Sequence, residues 1–238
     1  MSTLLNLDNV CFSYPHCQPI LNNCNFSIGD QRIGLIGSNG SGKTTLLKIL
    51  VGLLKPQQGR LFHQGSEVTS ERDYRKLRKN LGFLFQNSND QLFSPTVIED
   101  IAFGPLNMGL TQDQARERSL QILKKLDILS LQDQITHRLS GGEKKLVALA
   151  TVLVMNPRLL LLDEPTNNLD PETREKLTAI LRDLEIARII ISHDWDFLTE
   201  TTDELYSIEH GHLHQCKDGH VHVHQHVHEH GDKPHHHS

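Results

Sequence analysis

The stretch GSNGSGKT, residues 37–44, decides how this chain folds. It fits the pattern GxxxxGK followed by Ser or Thr, and it lies between an apolar run at 31–36 and a helical pattern, which is the setting that this pattern requires. Gly37, Gly40 and Gly42 let the backbone curl so that its N–H groups point inward at phosphate oxygens, and the dipole of the following helix favours the same negative charge. The sequence therefore predicts a phosphate-binding loop between a strand and a helix.

Four side chains in and beyond this loop have the chemistry of a phosphoryl-transfer site. Lys43 supplies positive charge for the terminal phosphates, and Thr44 offers its hydroxyl to Mg²⁺. A wholly apolar run at 159–162 ends in Asp163 and Glu164, at the strand end where ligands bind in open parallel sheets. We expect Asp163 to hold Mg²⁺, directly or through water, and Glu164 to orient or deprotonate the attacking water. The alternative is an acidic loop that simply follows a core strand.

Strand patterns and helix patterns alternate around this site, which indicates a parallel sheet covered on both faces. A capping box of Thr111 and Gln114 opens an amphipathic helix with Leu120, Leu123, Leu126 and Leu129 on its apolar side. The other predicted elements are strands at 4–12, 24–28, 31–36, 59–65, 81–85, 159–162 and 188–192, helices at 43–55, after 140–142 and at 171–185, and a final hairpin at 204–216.

Length and composition exclude several other classes of protein. The chain has 238 residues, 37% of them hydrophobic, which fits one large or two small globular domains rather than a disordered chain. A net charge of -5 gives no nucleic-acid footprint over the whole protein. No apolar run approaches the roughly 20 residues of a membrane span, and the first residues lack a secretory signal. The four cysteines form no CxxC pair, which suggests free thiols in a reducing compartment.

The segment LSGGE at 139–143 lies between the phosphate loop and the DE strand, and this order resembles the ATP-binding subunits of ABC transporters over nearly all of residues 1–215. The resemblance implies an α/β P-loop NTPase fold of the ABC ATPase type, with a mostly parallel core sheet, an N-terminal antiparallel β subdomain and an inserted helical subdomain at about 88–156. It also implies a head-to-tail dimer in which one chain caps the ATP bound by the other through Leu139, Ser140, Gly141, Gly142, Glu143 and Asp170. The alternative for SGG is an ordinary linker turn.

The same resemblance assigns further roles. Tyr14 is placed to stack on adenine, although an aromatic near a strand end also serves as packing. Gln86 is expected to sense Mg²⁺, together with Thr44 and Asp163, and to couple to a membrane partner. His193 is expected to bond the terminal phosphate, so that the catalytic set is Lys43, Gln86, Glu164 and His193. The expected ATP-binding set is Tyr14, Gly37, Ser38, Asn39, Gly40, Ser41, Gly42, Lys43, Thr44 and Thr45.

The stretch 85–105, FQNSNDQLFSPTVIEDIAFGP, is similar to the ATPases of energy-coupling factor importers, especially their cobalt and nickel branch. Asp90, Gln91, Leu92 and Phe93 are its candidate contacts with a membrane subunit, and the alternative is that Leu92 and Phe93 pack inside the helical lobe. The resemblance implies an ATP-hydrolysing subunit at the cytoplasmic face of the cell membrane. Its expected partners are a second ATPase subunit, identical or related, an integral membrane coupling subunit and a substrate-binding membrane subunit, with no nucleic acid.

Three functions stay open on the sequence alone: an importer of nickel or cobalt, an importer of a vitamin or other small molecule whose tail buffers metal, and a soluble ABC ATPase outside transport. The composition changes abruptly at residue 217, so we expect an ABC ATPase domain at 1–216 and a disordered tail at 217–238. Neutral imidazoles there would bind Ni²⁺, Co²⁺ or another transition metal, unless part of the tail is a purification tag or merely solvated. These histidines are His220, His222, His224, His226, His228, His230, His235, His236 and His237. His210, His212 and His214 are expected to belong to the hairpin, with Cys216 as a weak extra ligand.

Overall fold

The computed structural model describes residues 3–216, which contain ten strands and seven α-helices. The strands are β1 (Leu5–Phe12), β2 (Leu21–Ile28), β3 (Arg32–Ile36), β4 (Gln58–His63), β5 (Ser66–Glu67), β6 (Leu81–Leu84), β7 (Leu159–Asp163), β8 (Ala187–Ile191), β9 (Glu204–Glu209) and β10 (His212–Gln215). The helices are α1 (Lys43–Leu50), α2 (Glu71–Arg78), α3 (Val97–Asn107), α4 (Gln112–Lys125), α5 (Gly141–Leu153), α6 (Pro171–Asp183) and α7 (Trp195–Thr201).

The strands form two sheets. A four-stranded sheet has the order β2-β1-β4-β5 with antiparallel pairing. A six-stranded sheet has the order β10-β9-β3-β8-β7-β6, in which every neighbouring pair is parallel except β9 and β10. The predicted mostly parallel core sheet and the predicted N-terminal antiparallel sheet are therefore confirmed.

The six-stranded sheet is covered on both faces, and strand β7 shows how. Leu159 and Leu161 belong to a core cluster with the antiparallel sheet and α1, whereas Leu160 and Leu162 belong to a second cluster with α3, α5 and α6. Alternate residues of a strand point to opposite faces, so an unbroken apolar run is what a strand buried on both sides requires.

This topology brings the predicted functional segments to one edge. The phosphate loop follows β3, His193 follows β8, Asp163 and Glu164 close β7, and Gln86 follows β6. Since these four strands are neighbours and parallel, their carboxyl ends lie side by side at the edge where α/β folds bind ligands.

Two helix ends differ from the prediction. The helix that begins at Lys43 ends at Leu50 rather than near Lys55, because Gly52 has a left-handed φ of 72° and closes the last turn. Similarly, α4 ends at Lys125. Leu129, which was expected on its apolar side, lies in a separate 3-10 turn and is exposed.

Helices α2, α3 and α7 were not assigned individually from the sequence. Helix α3 begins with a capping box of Thr96 and Glu99, and α7 begins after Asp194, whose carboxylate accepts a hydrogen bond from the Phe197 amide. Both start signals are present in the sequence, but the helices are short and α3 contains Pro105, which obscured its periodicity.

Among residues 3–216, no helix combines the length and apolar character needed to cross a membrane. The tail histidines and the predicted disorder of residues 217–238 lie outside the described residues.

Candidate functional site

The phosphate loop depends on glycines where the chain turns tightly. Gly37 and Gly42 have φ values of 145° and 106°, in the left-handed region that other residues rarely adopt. Space is also restricted, since a Cβ on Gly42 would lie 2.7 Å from Ile20 Cγ2 and a Cβ on Gly37 would lie 2.9 Å from the Ile208 carbonyl oxygen. Gly42 is the N-cap of α1, so the loop leads directly into a helix N-terminus.

Lys43 lies inside this loop. Its Nζ donates hydrogen bonds to the carbonyl oxygens of Gly37 at 2.7 Å and Ser38 at 3.0 Å, and the side chain is buried. Burial lowers the pKa of Lys43, and the carboxylates of Glu164 and Asp163 oppose that shift. The ammonium group is thus held among the loop carbonyls and close to two acidic groups, in position to serve phosphate oxygens.

The candidate Mg²⁺ ligands are oxygen donors that meet at the ends of β7 and α1. Thr44 Oγ1 donates to Asp163 Oδ1 at 3.2 Å, and Gln86 lines the same cavity. Burial raises the pKa of Asp163, which the hydrogen bond from Thr44 and nearby lysines oppose. A hydroxyl, a carboxylate and an amide oxygen are the hard donors that Mg²⁺ prefers, so the residues present fit this ion.

Glu164 and His193 form the second polar pair of the cavity. His193 Nε2 lies 3.2 Å from Glu164 Oε1, whereas Glu164 Oε2 is buried and has no hydrogen-bond partner within residues 3–216. Burial raises the pKa of Glu164, and His193 opposes that shift. The backbone of Glu164 has a left-handed φ of 46°, a costly conformation that tends to occur at functional sites. The arrangement leaves Glu164 Oε2 as a buried acceptor without a donor among residues 3–216.

These groups surround a cavity of about 410 Å³, which we call the ATP cavity. Tyr14 lines one end, with its hydroxyl 3.4 Å from Thr45 Oγ1 and its ring edge-on to Phe12. Most of the predicted site residues of the loop, together with Gln86, Asp163, Glu164 and His193, also line the cavity. Ile20, Asn167 and Ile191 also line the cavity and were not among the predicted site residues. Asn167 lies three residues after Glu164 and three before Asp170, and that neighbourhood could have indicated it.

The segment Leu139–Glu143, which we call the signature segment, lies outside the ATP cavity of its own chain. Ser140 is the N-cap of α5, and its capping box pairs Ser140 N with Glu143 Oε2 at 2.8 Å and Glu143 N with Ser140 Oγ at 3.2 Å. Gly141 is exposed, and Asp170, which caps α6 through Thr173, is also outside the cavity.

Lys145 is a buried residue that no sequence motif singled out. Its Nζ donates to the carbonyl oxygens of Gln86 at 2.7 Å and Phe85 at 3.3 Å. Burial lowers the pKa of Lys145 to about 8, and the negative charge of Asp163 opposes the shift. The residue therefore joins helix α5 to the backbone of the Gln86 segment.

The loop geometry, the paired acidic residues and the parallel sheet define a P-loop NTPase. The profile of the ABC transporter family matches residues 21–167. A putative ABC transporter ATP-binding protein of Nitratidesulfovibrio vulgaris is 50% identical, over 98% of this chain and 86% of its own length. The chain belongs to the ABC transporter ATP-binding family, and its ABC ATPase fold is thereby confirmed.

One further relative and two solved structures are also similar to this chain. The energy-coupling factor transporter ATP-binding protein EcfA of Methanothermobacter thermautotrophicus is 40% identical, over 88% of this chain and 69% of its own length. Among solved structures, cbiO1 of Clostridium perfringens, described as part of the ABC transporter complex cbiONQ, has a TM-score of 0.79 at 36% identity, covering 90% of this chain and 87% of that one. The cassette MJ0796, solved as a dimer with ADP and phosphate, has a TM-score of 0.81 at 26% identity, covering 90% and 98%. This chain is thus an ATPase subunit of a transporter, as expected from its sequence.

Proposed function

We propose that this chain drives an importer of the energy-coupling factor type, which carries nickel or cobalt ions, from the cytoplasmic face of the membrane. The likeness to EcfA and to cbiO1 supports the importer type. The resemblance of residues 85–105 to the cobalt and nickel branch, together with the histidine-rich tail, supports the ion. The observation that carries the proposal is an exposed apolar surface directly after Gln86.

This surface, which we call the docking surface, consists of Phe93, Phe103, Leu106 and Met108. Phe93 is 66% exposed, and its ring meets that of Phe103 edge-on with centroids 4.7 Å apart. Exposed apolar side chains that cluster, rather than lie singly, mark interaction sites. A membrane subunit that inserts an apolar segment here would sit next to the segment that leads into the ATP cavity.

The backbone beneath the docking surface is fixed. Asp100 on α3 is buried, and its Oδ1 accepts hydrogen bonds from the amides of Phe93 at 3.2 Å and Ser94 at 3.1 Å. Gln91 donates to the Ala148 carbonyl and accepts from the Phe85 amide. Of the contact candidates expected from the sequence, Gln91 and Leu92 are therefore half-buried and tied to the helical core, whereas Asp90 and Phe93 face solvent.

In the proposed reaction, the loop amides and Lys43 bind the phosphates, and Tyr14 stacks on the adenine. Thr44, Asp163 and Gln86 would hold Mg²⁺, which supplies charge neutralisation on the phosphates when it is bound. Glu164 orients or deprotonates the attacking water through its free Oε2, and His193 contacts the terminal phosphate. Its contact with Glu164 lets His193 position that carboxylate as well.

The signature segment completes the site in trans in this proposal. Ser140 and the exposed Gly141 stand at the N-terminus of α5, where helix dipole and free amides favour an anion. Leu139, Gly142, Glu143 and Asp170 shape that segment and the neighbouring loop. Two chains, identical or related, would close on two ATP molecules, and closure would pull on the membrane partner through the docking surface.

The test is affinity isolation of the full chain from detergent-solubilised membranes. We expect an integral membrane coupling protein and a small substrate-binding membrane protein to be recovered with it. Phe93→Ser should lose both, whereas Leu53→Ser, which changes another apolar residue that is more than half exposed and lies outside the docking surface, should retain them. Recovery of soluble complexes alone would overturn the importer assignment.

The transported ion needs a separate measurement. Vesicles that contain the isolated complex should accumulate Ni²⁺ or Co²⁺ when ATP is supplied on the ATPase side. A complex that accumulates a vitamin and neither ion would contradict the ion assignment and leave the importer type intact.

A further inference from the structure

A regular array of metal-ligating side chains begins inside the folded domain. Every even-numbered position from 210 to 230 carries His, Cys or Asp, eleven positions in succession, whereas Glu229 is the one such residue at the odd positions between them. Alternate residues of an extended strand lie on one face. Strand β10 is extended and includes two of these positions, His212 and His214. The array therefore starts on a fixed part of the ATPase domain.

The structure places both imidazoles on the open face of the β9–β10 hairpin. His212 and His214 are exposed, and their ring centroids are 6.4 Å apart with the rings tilted by 49°. Leu213 between them points to the opposite face, where it packs against the core around the antiparallel sheet. β10 is the edge strand of the described sheet, and both histidines are exposed on it.

The cross-strand register adds a carboxylate to this face. Glu209 lies opposite His212 and Ser207 lies opposite His214. Side chains that are directly opposite on an antiparallel pair lie on the same face, with Cβ atoms roughly 5 Å apart. Within residues 3–216, no three His, Cys, Asp or Glu side chains converge on one point, so the preformed part of a site is the pair of imidazoles.

The spacing of the pair suits one shared ion. With metal–nitrogen distances of about 2.0–2.1 Å, two imidazoles on one ion place their ring centroids roughly 5–6 Å apart. Exposed histidine side chains reach that separation by rotation about χ1 and χ2, without movement of the strand. The backbone that holds them is fixed by β9, which in turn pairs with β3 directly before the phosphate loop.

We propose that His212 and His214 bind one late first-row divalent ion, of the nickel, copper or zinc type, on the ATPase domain itself. Imidazole is the common ligand of these ions, and their affinities rise from cobalt through nickel to copper. The remaining coordination positions go to water, to Glu209 after rotation of its side chain, or to donors from elsewhere. This site is separate from any site formed by the tail histidines alone.

The test uses the full-length chain in which the nine tail histidines are replaced by Asn, so that these imidazoles do not compete. Ni²⁺ is titrated by calorimetry into this protein, into the same protein with His212→Asn and His214→Asn, and into one with His16→Asn and His137→Asn. The last pair removes two exposed imidazoles that lie apart from the hairpin. Retained ATP binding in all three shows that the domain is folded.

We expect one Ni²⁺ per chain in the tail-substituted protein and in the His16 and His137 control. Loss of supporting groups around a metal already costs about 10–100-fold in affinity, so removal of both ligands should weaken binding by at least roughly tenfold. In the tail-substituted protein, one equivalent of Ni²⁺ should also protect His212 and His214 from diethyl pyrocarbonate. No Ni²⁺ binding after tail substitution, or binding that survives loss of His212 and His214, would overturn the proposal.

Discussion

The ATP cavity and the signature segment satisfy their polar groups in opposite ways. In the cavity, two buried carboxylates interact with side chains of other elements, as Asp163 does with Thr44 and Glu164 with the exposed His193. In the signature segment, Ser140 and Glu143 satisfy each other within one helix turn and make no contact with the cavity. The cavity is thus built by the tertiary fold of one chain, whereas the segment is a preformed cap. In the proposed function this cap fits the ATP cavity of a second chain, and the following predictions test that division.

The largest effect is expected from substitution of Glu164, the proposed general base in the ATP cavity. Glu164→Gln removes the negative charge that orients or deprotonates water, while the amide keeps the size of the side chain. General-base contributions are about 10²–10⁴-fold, so phosphate release per enzyme should fall by roughly that factor. ATP binding should persist, and size-exclusion chromatography with ATP should show a trapped dimer.

The matched control for this change is Glu99→Gln. Glu99 accepts hydrogen bonds from Thr96 in the capping box of α3, a position where glutamine serves equally well. The ATP turnover of Glu99→Gln should equal that of wild type. Undiminished turnover in Glu164→Gln would remove that residue from the proposed role.

The second largest effect is expected on the affinity of a single chain for ATP. Lys43→Ala removes a charged donor, and hydrogen bonds to charged groups contribute about 1.5–3 kcal/mol, so ATP affinity should fall roughly tenfold to a hundredfold. Calorimetric titration of ATP measures this loss. Lys124→Ala, which removes an exposed lysine of α4 outside the ATP cavity, should bind ATP normally. Normal affinity in Lys43→Ala would contradict the assignment of the phosphate loop.

The third prediction distinguishes the role of the signature segment from that of the ATP cavity. Ser140→Ala and Thr111→Ala each remove an N-cap hydroxyl with a capping box, and each should cost about 1 kcal/mol of unfolding free energy. Only Ser140→Ala should lower ATPase activity, by about tenfold for one lost bond to a charged phosphate. Single-chain ATP affinity should be unchanged in both. Equal ATPase activities in the two variants would show that the signature segment does not act in trans.

The same contrast explains what the sequence could predict. The phosphate loop, the DE strand and the N-caps at Thr111 and Ser140 are local patterns, because each depends on residues within a few positions. Lys145 is different, because its Nζ donates to the carbonyl oxygens of Phe85 and Gln86, about 60 positions earlier in the chain. Such partners are fixed only when the elements pack, and long-range polar contacts of this kind leave no pattern in the sequence.

The residues that line the ATP cavity likewise divide into those that the sequence predicts and those that it does not. Residues at strand ends were predictable, since parallel strands bring their carboxyl ends together. Ile20 reaches the cavity from the loop before β2, and nothing in its neighbourhood indicates ligand contact. Of the two apolar residues expected at the proposed docking surface, Phe93 is exposed. Leu92, which follows the 3-10 turn at Ser88–Asp90, packs against the helical core instead.

The smallest effect concerns Lys145, which connects the two regions. It lies two residues after the signature segment on α5 and donates to the carbonyls of Phe85 and Gln86 beside the ATP cavity. Its pKa is lowered to about 8 in the folded chain by burial, whereas an unfolded lysine has a pKa near 10.5. Between these values the unfolded state binds more protons, so this group makes the folded state more stable as pH rises.

The comparison of wild type with Lys145→Met isolates that group, since all other lysines titrate in both proteins. The stability of wild type relative to the variant, measured by urea unfolding, should increase by about 1 kcal/mol from about pH 7 to about pH 9. The variant should also lower turnover more than ATP affinity, because the Gln86 backbone loses its contact with α5 while the phosphate loop is unaltered. Lys144→Met is the control, since the neighbouring Lys144 is half-buried and bonds the side chain of Asn89 instead. A stability difference between wild type and Lys145→Met that does not change with pH would show that the Lys145 ammonium is not desolvated. The proposed connection between the signature segment and the ATP cavity would then not depend on a buried charge.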